Sequence, residues 1–206
     1  MKRINSGLVV LAAIAATVLA GPGSASATEM YSGATTLGAG TSVQLSQSGT
    51  ASFTTTGGTV LDTCTGSGIT GKTSNSGGSG VNVTGTIATS GLTFSGCTKT
   101  TDTLEGCGFE WEHISGTLNW TVWWKGCKIT IEMAAEFGGT CSYTAGSSRT
   151  HLGTFKGVTV AGVLATWAIR AALIAAAGNS FLCPSDVLWV ANYSATSPKP
   201  LHATNS

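Results

Sequence analysis

CGFEWEHISGTLNWTVWWKGCKITIEMAAEF, residues Cys107 to Phe137, reads as a β-hairpin followed by a further strand. Phe109 to Ile114 and Thr117 to Lys125 are two runs separated by Ser115-Gly116, a pair suited to a tight turn. In the second run Leu118, Trp120, Val122 and Trp124 share one face, which places Trp120 and Trp124 in a core and leaves Trp123 with Asn119, Thr121 and Lys125 on the other face. From Lys128 the alternation continues. Ile129, Ile131, Met133, Ala135 and Phe137 point one way; Lys128, Thr130, Glu132, Ala134 and Glu136 point the other, so one face is core and one is solvent. Gly138-Gly139 ends the run.

The same period-two pattern extends in both directions. Val43-Gln44-Leu45 and Ala51-Ser52-Phe53 begin it, Gly57-Gly58 turns into Thr59 to Thr63, and Val81, Val83, Gly85 and Ile87 form one face of a strand followed by Leu92 and Phe94 on the next. Trp189, Ala191 and Tyr193 share one side of the last strand, Val187 to Ser194. The apolar stretch Val158 to Ala177 is interrupted by Thr159, Thr166, Trp167 and Arg170. Trp167, Ile169, Ala171 and Leu173 alternate with Thr166, Ala168, Arg170 and Ala172, which fits a half-buried strand better than a membrane span; for Ala171 to Ala177 helix and strand both remain open. Turn residues recur at the spacing of sandwiches and barrels. Thr65 to Gly80 is almost entirely small and polar and is expected to be a mobile loop. The predicted fold is all-β: a single antiparallel β-sandwich or barrel-like domain over residues 28–197, with a flexible tail over 198–206.

The N-terminus has the form of an export signal. Met1-Lys2-Arg3 is basic, Gly7 to Ala20 is small and apolar, and Ala25-Ser26-Ala27 fits the signal-peptidase pattern, so residues 1–27 are expected to be cleaved. The apolar run is shorter than the ~20 residues a bilayer core requires, and no integral span is expected after cleavage. Two of the ten basic residues, Lys2 and Arg3, lie in this leader; the remainder has eight basic against nine acidic residues, which gives no attraction to nucleic acid. The expected location is secreted and extracellular, with association at the cell surface allowed.

Six cysteines follow the leader, an even number that points to three disulfides in an oxidising compartment. Fifteen pairings are formally available. The hairpin returns Cys107 to Cys127, and the remaining four then pair as Cys64–Cys97 and Cys141–Cys183. No C-x-x-C and no paired histidines are present, so neither a metal nor a cofactor is expected.

Candidate chemistry concentrates on the hairpin. Trp123, with Trp111 and Asn119, could form a sugar-stacking face; the rival reading is that Trp123 covers a second layer or a subunit contact. Glu110 and Glu112 share a face beside His113, but any Glu-x-Glu strand has this arrangement, and two solvated carboxylates account for it without glycoside hydrolysis. His113, His151 and His202 are scattered singly, and no catalytic motif is present, which predicts no enzyme activity. The N-x-[ST] sequons at Asn82, Asn119 and Asn192 are expected by chance in a chain so rich in Ser and Thr.

The stretches LDTCTGSGITGKTSN (Leu61 to Asn75), LTFSGCT (Leu92 to Thr98), GGTCSYTAG (Gly138 to Gly146) and SFLCPSDVLWVANYSATSPKPL (Ser180 to Leu201) resemble a family of small secreted, cysteine-containing, β-rich actinobacterial proteins. The resemblance implies secretion and a β-rich fold but no activity. Its usual cysteines correspond to Cys64, Cys97, Cys141 and Cys183, with Cys107 and Cys127 an addition here. The expected role is that of a non-catalytic cell-surface or extracellular structural or interaction protein, with self-association allowed. The alternative is a carbohydrate-binding module built on the exposed Trp of the 109–125 hairpin, its partner a glycan surface.

Overall fold

A computed structural model describes residues 27–99, 101–105, 107–132, 139–145 and 149–204. They form β1 (Ala27–Ser32), β2 (Thr35–Thr36), β3 (Ser42–Gln47), β4 (Ala51–Thr54), β5 (Val60–Thr73), β6 (Gly77–Ser79), β7 (Val83–Cys97) and β8 (Thr101–Glu105). The second half contributes β9 (Cys107–His113), β10 (Trp120–Lys125), β11 (Lys128–Glu132), β12 (Thr140–Thr144), β13 (Thr150–Lys156), β14 (Thr166–Ala175), β15 (Asp186–Ser197) and β16 (Leu201–Ala203).

The fold is all-β, as the alternation predicts, and the sheet closes on itself as a barrel. β5, β7, β9, β10, β13, β14 and β15 pair antiparallel in that order. β3 and β4 lie end to end in the eighth position, each paired with both β5 and β15. Gly49, at a φ of 84°, sits in the short break between them. β12, β11 and β8 continue the sheet from the last residues of β14, through Tyr143 opposite Ala175.

All three expected disulfides form: Cys64–Cys97, Cys107–Cys127 and Cys141–Cys183. They lie toward the rim where β10 ends and β5, β9 and β15 begin. The opposite rim carries a small sheet of β16, β1 and β2, with β6 on β1. Met30, Leu201 and Ala203 of this sheet are buried. It is fastened to the barrel by bonds from Val158 N to the Leu201 carbonyl at 2.9 Å and from Ala203 N to the Leu118 carbonyl at 3.1 Å.

Side chains fill the barrel interior. Trp111, Trp120 and Phe155 form a cluster with ring centroids 5.1 to 5.4 Å apart, and Trp189 meets Trp124 at 5.1 Å. The void left among residues including Val43, Ile69, Trp124 and Trp167 is about 10 Å³, room for no more than one water. An eight-stranded barrel is just wide enough to be filled by side chains or to hold one small ligand, and here the indoles fill it. On β14, Trp167, Ile169, Ala171 and Leu173 are buried, so the half-buried strand expected there is present.

Three expectations need correction. Thr65 to Gly80 is not a free loop: β5 runs through it to Thr73, and β6 follows. Its small residues are where neighbours press in, since a Cβ at Gly71 would meet the Phe109 ring at 2.8 Å and one at Gly77 would overlap the Thr28 carbonyl. The tail does not fray over its whole length, because β16 pairs with β1, Met30 opposite Ala203. Val81, grouped on one strand face with Val83, Gly85 and Ile87, lies outside β7 and is exposed while those three are buried, and Leu92 and Phe94 continue the same long strand. The leader's residues 1–26 and residues 133–137 of the strand expected from Lys128 lie outside the described residues. Among the described residues no helix is long and apolar enough to cross a membrane.

Candidate functional site

Three parts of the outer surface hold chemistry that the core does not use. The first is the wall formed by β7, β9, β10 and β13. Trp123 lies opposite Glu110 on one side and His151 on the other. Arg149 enters from the residues just before β13 and binds both carboxylates, Glu110 at 3.0 Å and Glu112 at 2.9 Å. Its guanidinium lies 4.4 Å from the centre of the Trp123 ring. The indole Nε1 donates to Glu112 at 2.9 Å, and the Asn82 amide donates to Glu110. His151 is tilted against Trp123 with centroids 5.3 Å apart.

This arrangement bears on the expected sugar platform. Trp123 reaches the surface, but Arg149 lies over its ring, where a sugar would stack. Trp111 is only 3% exposed and faces the barrel interior, so it offers no surface to a ligand. Asn119 accepts a bond from Gly157 N at 3.2 Å and joins the start of β10 to the end of β13. Both glutamates accept bonds from the same guanidinium, which ties β9 to the residue that leads into β13. Arg149 escaped the sequence reading because it belongs to no alternating run.

The second part is an apolar wall at the disulfide rim. Val60 lies opposite Thr54, Thr54 opposite Leu188, and Leu188 opposite Ala172. All four alternate with buried neighbours and therefore point outward. Ile174, one outward position further along β14, is 54% exposed, and Val60 is 60% exposed. The β14–β15 loop, at the same rim, carries Leu182 and Phe181, the latter 93% exposed. The loop is held in place: Cys183 is bridged to Cys141, and Asn179 both accepts from Ser142 N at 2.9 Å and donates to the Ser142 carbonyl at 2.7 Å.

The third part is an open cleft of about 500 Å³ at the small-sheet rim. Tyr31 and His202 stack there with ring centroids 5.7 Å apart. Burial lowers the His202 pKa from its ordinary 6.5, while a bond to the Val158 backbone acts in the opposite direction. The folded ring therefore takes up a proton less readily than the unfolded one. Stability is full above 6.5 and is lost as pH falls through the lower folded value. Thermal melting should show wild type losing more stability on acidification below 6.5 than His202→Phe; parallel curves would contradict this.

Asp62, Cys64 and Cys97 bring potential metal-ligand atoms within 4.8 Å of one another, but both sulfurs are joined in a disulfide. Asp62 is fully buried and accepts bonds from Thr63 N, Thr98 Oγ1 and Lys99 N at 2.7 to 2.8 Å, which anchors the end of β7. Compared with known proteins, the chain matches no family model, no curated protein and no solved structure.

Proposed function

We propose that the chain is an exported, non-catalytic interaction protein of the cell surface or extracellular matrix, and that copies of it associate through the apolar wall at the disulfide rim. The observation that carries this reading is Phe181, 93% exposed on a loop that a disulfide and two Asn179 bonds hold in place. Single exposed apolar residues are ordinary, but Phe181, Leu182, Ile174 and Val60 occur together at one rim. An aromatic on a pre-ordered support loses little entropy on binding. The filled interior leaves the outer surface as the place where the protein meets a partner. A saccharide platform at Trp123 is less favoured, because Arg149 would first have to leave the ring.

Sedimentation equilibrium across a wide concentration range tests the reading. Wild type should gain mass with concentration, and Phe181→Ser should weaken association roughly thirtyfold, the effect of removing an interface anchor worth about 2 kcal/mol. Its melting should be unchanged. A wild type that stays monomeric, or a variant that assembles equally well, would refute it.

A further inference from the structure

We infer that the outer wall of β9 and β10 is a guanidinium-binding site, in which Arg149 holds a place that a guanidinium from outside the chain can take over. This does not depend on association at the disulfide rim.

The site is held together without Arg149. The Trp123 indole N–H fixes the Glu112 carboxylate at 2.9 Å. The Glu110 carboxylate accepts from the Asn82 amide, and the Asn82 side-chain oxygen in turn accepts from Thr28 Oγ1 at 3.4 Å. Two carboxylates and the face of an indole therefore keep their positions when the guanidinium departs. Departure is open to it, because the Arg149 side chain is 40% exposed, and a replacement approaches from solvent along Glu112, whose side chain is 44% exposed.

The occupant shows which chemistry fits. Nη2 of Arg149 reaches Glu110 at 3.0 Å and Glu112 at 2.9 Å while the guanidinium carbon lies 4.4 Å from the centre of the Trp123 ring. A planar, weakly hydrated cation faces an indole and bonds two carboxylates at once, whereas an ammonium is a compact, strongly hydrated charge. Charge also favours a cation. Two carboxylates against one guanidinium leave one negative charge, and among the described residues neither glutamate pairs with another basic side chain; Lys125, two residues beyond Trp123 on β10, makes no ion pair with either. A sugar that displaced Arg149 would leave both carboxylates without their cation, while an incoming guanidinium restores the two ion pairs and the ring contact. Being tethered, Arg149 competes at an effective concentration of roughly millimolar, so the exchange favours a guanidinium presented at or above that level.

Chemical-shift titration of the full chain, read at the Trp123 indole N–H, tests the proposal with methylguanidinium and a blocked glycine-arginine-glycine peptide as probes. Arg149→Ala should bind both roughly tenfold more tightly than wild type, because the internal competitor is gone. Arg149→Gln, which keeps the bulk of the side chain and removes its charge, is the second variant should the first disturb β13, and it should behave alike. Adding Glu112→Gln to either variant should weaken binding roughly tenfold. The corresponding lysine peptide should bind severalfold more weakly than the arginine peptide. A peptide held more tightly than methylguanidinium assigns the guanidinium to a polypeptide arginine, and equal affinities assign it to a free guanidino compound. No shift at Trp123 in the Arg149 variants would overturn the proposal. So would wild-type affinity in both of them, or equal binding of the arginine and lysine peptides. Failure at the apolar wall would appear in sedimentation alone, so the two readings fail separately.

Discussion

Trp189→Ala is expected to lose about 3–5 kcal/mol of stability, the cost of removing a large aromatic from a close-packed core. Trp189 is fully buried on β15. Its ring meets Trp124 at 5.1 Å, Phe94 at 6.0 Å, Phe53 at 6.1 Å and Tyr193 at 6.3 Å. These neighbours come from β4, β7, β10 and β15 itself, strands spread around the barrel wall, so they cannot collapse into the space together without distorting the closure. With total stabilities of about 5–15 kcal/mol, one such change consumes a large fraction of the whole. Urea denaturation measures it, with Trp123→Ala as the comparison. That variant loses a ring–guanidinium contact on the outer wall and should cost about 1 kcal/mol or less. Equal losses in the two variants would mean that the interior is not packed as described.

Reduction of the disulfides should have a comparable or larger effect. The bridges close chain separations of 33, 20 and 42 residues. In the chain-entropy model each contributes roughly 3–4 kcal/mol by restricting the unfolded state, so losing all three removes about as much as the folded state has in reserve. Cooperative unfolding of the reduced protein is expected to shift to far lower denaturant, or to vanish. Replacing only Cys141 and Cys183 by alanine should spare the barrel wall while loosening the loop that carries Phe181, seen as faster amide exchange at Ser142. A reduced protein that melts like the oxidised one would refute this.

Much of the barrel was legible because each inward position alternates with an outward one along a single strand. Trp120, Val122 and Trp124, and again Trp167 to Leu173, disclose their core face through period two alone. The cysteine pairs were legible for a related reason: a hairpin fixes where Cys127 returns. What remained hidden depended on contacts distant in the chain. Gly71 looks like a loop residue until Phe109 is seen to occupy the space a Cβ would need. Leu201 and Ala203 are too few to show a period, and the strand that covers them is β1, near the other end of the chain. Arg149 becomes meaningful only beside Trp123 and the two glutamates. The sandwich and barrel alternatives share one alternation pattern. They differ only in whether β3 and β4 bridge β5 to β15, a fact of topology that local pattern does not encode.

That bridge carries the account's central claim, because a closed and filled barrel must meet its partners with its outer surface. The direct test is the set of interstrand nuclear Overhauser contacts at the seam. The closed barrel predicts contacts from Leu45 both to Ile69 of β5 and to Ala195 of β15. It likewise predicts contacts from Phe53 both to Asp62 and to Trp189. Contacts on one side of β3 and β4 without the other would show an open sheet and contradict the account.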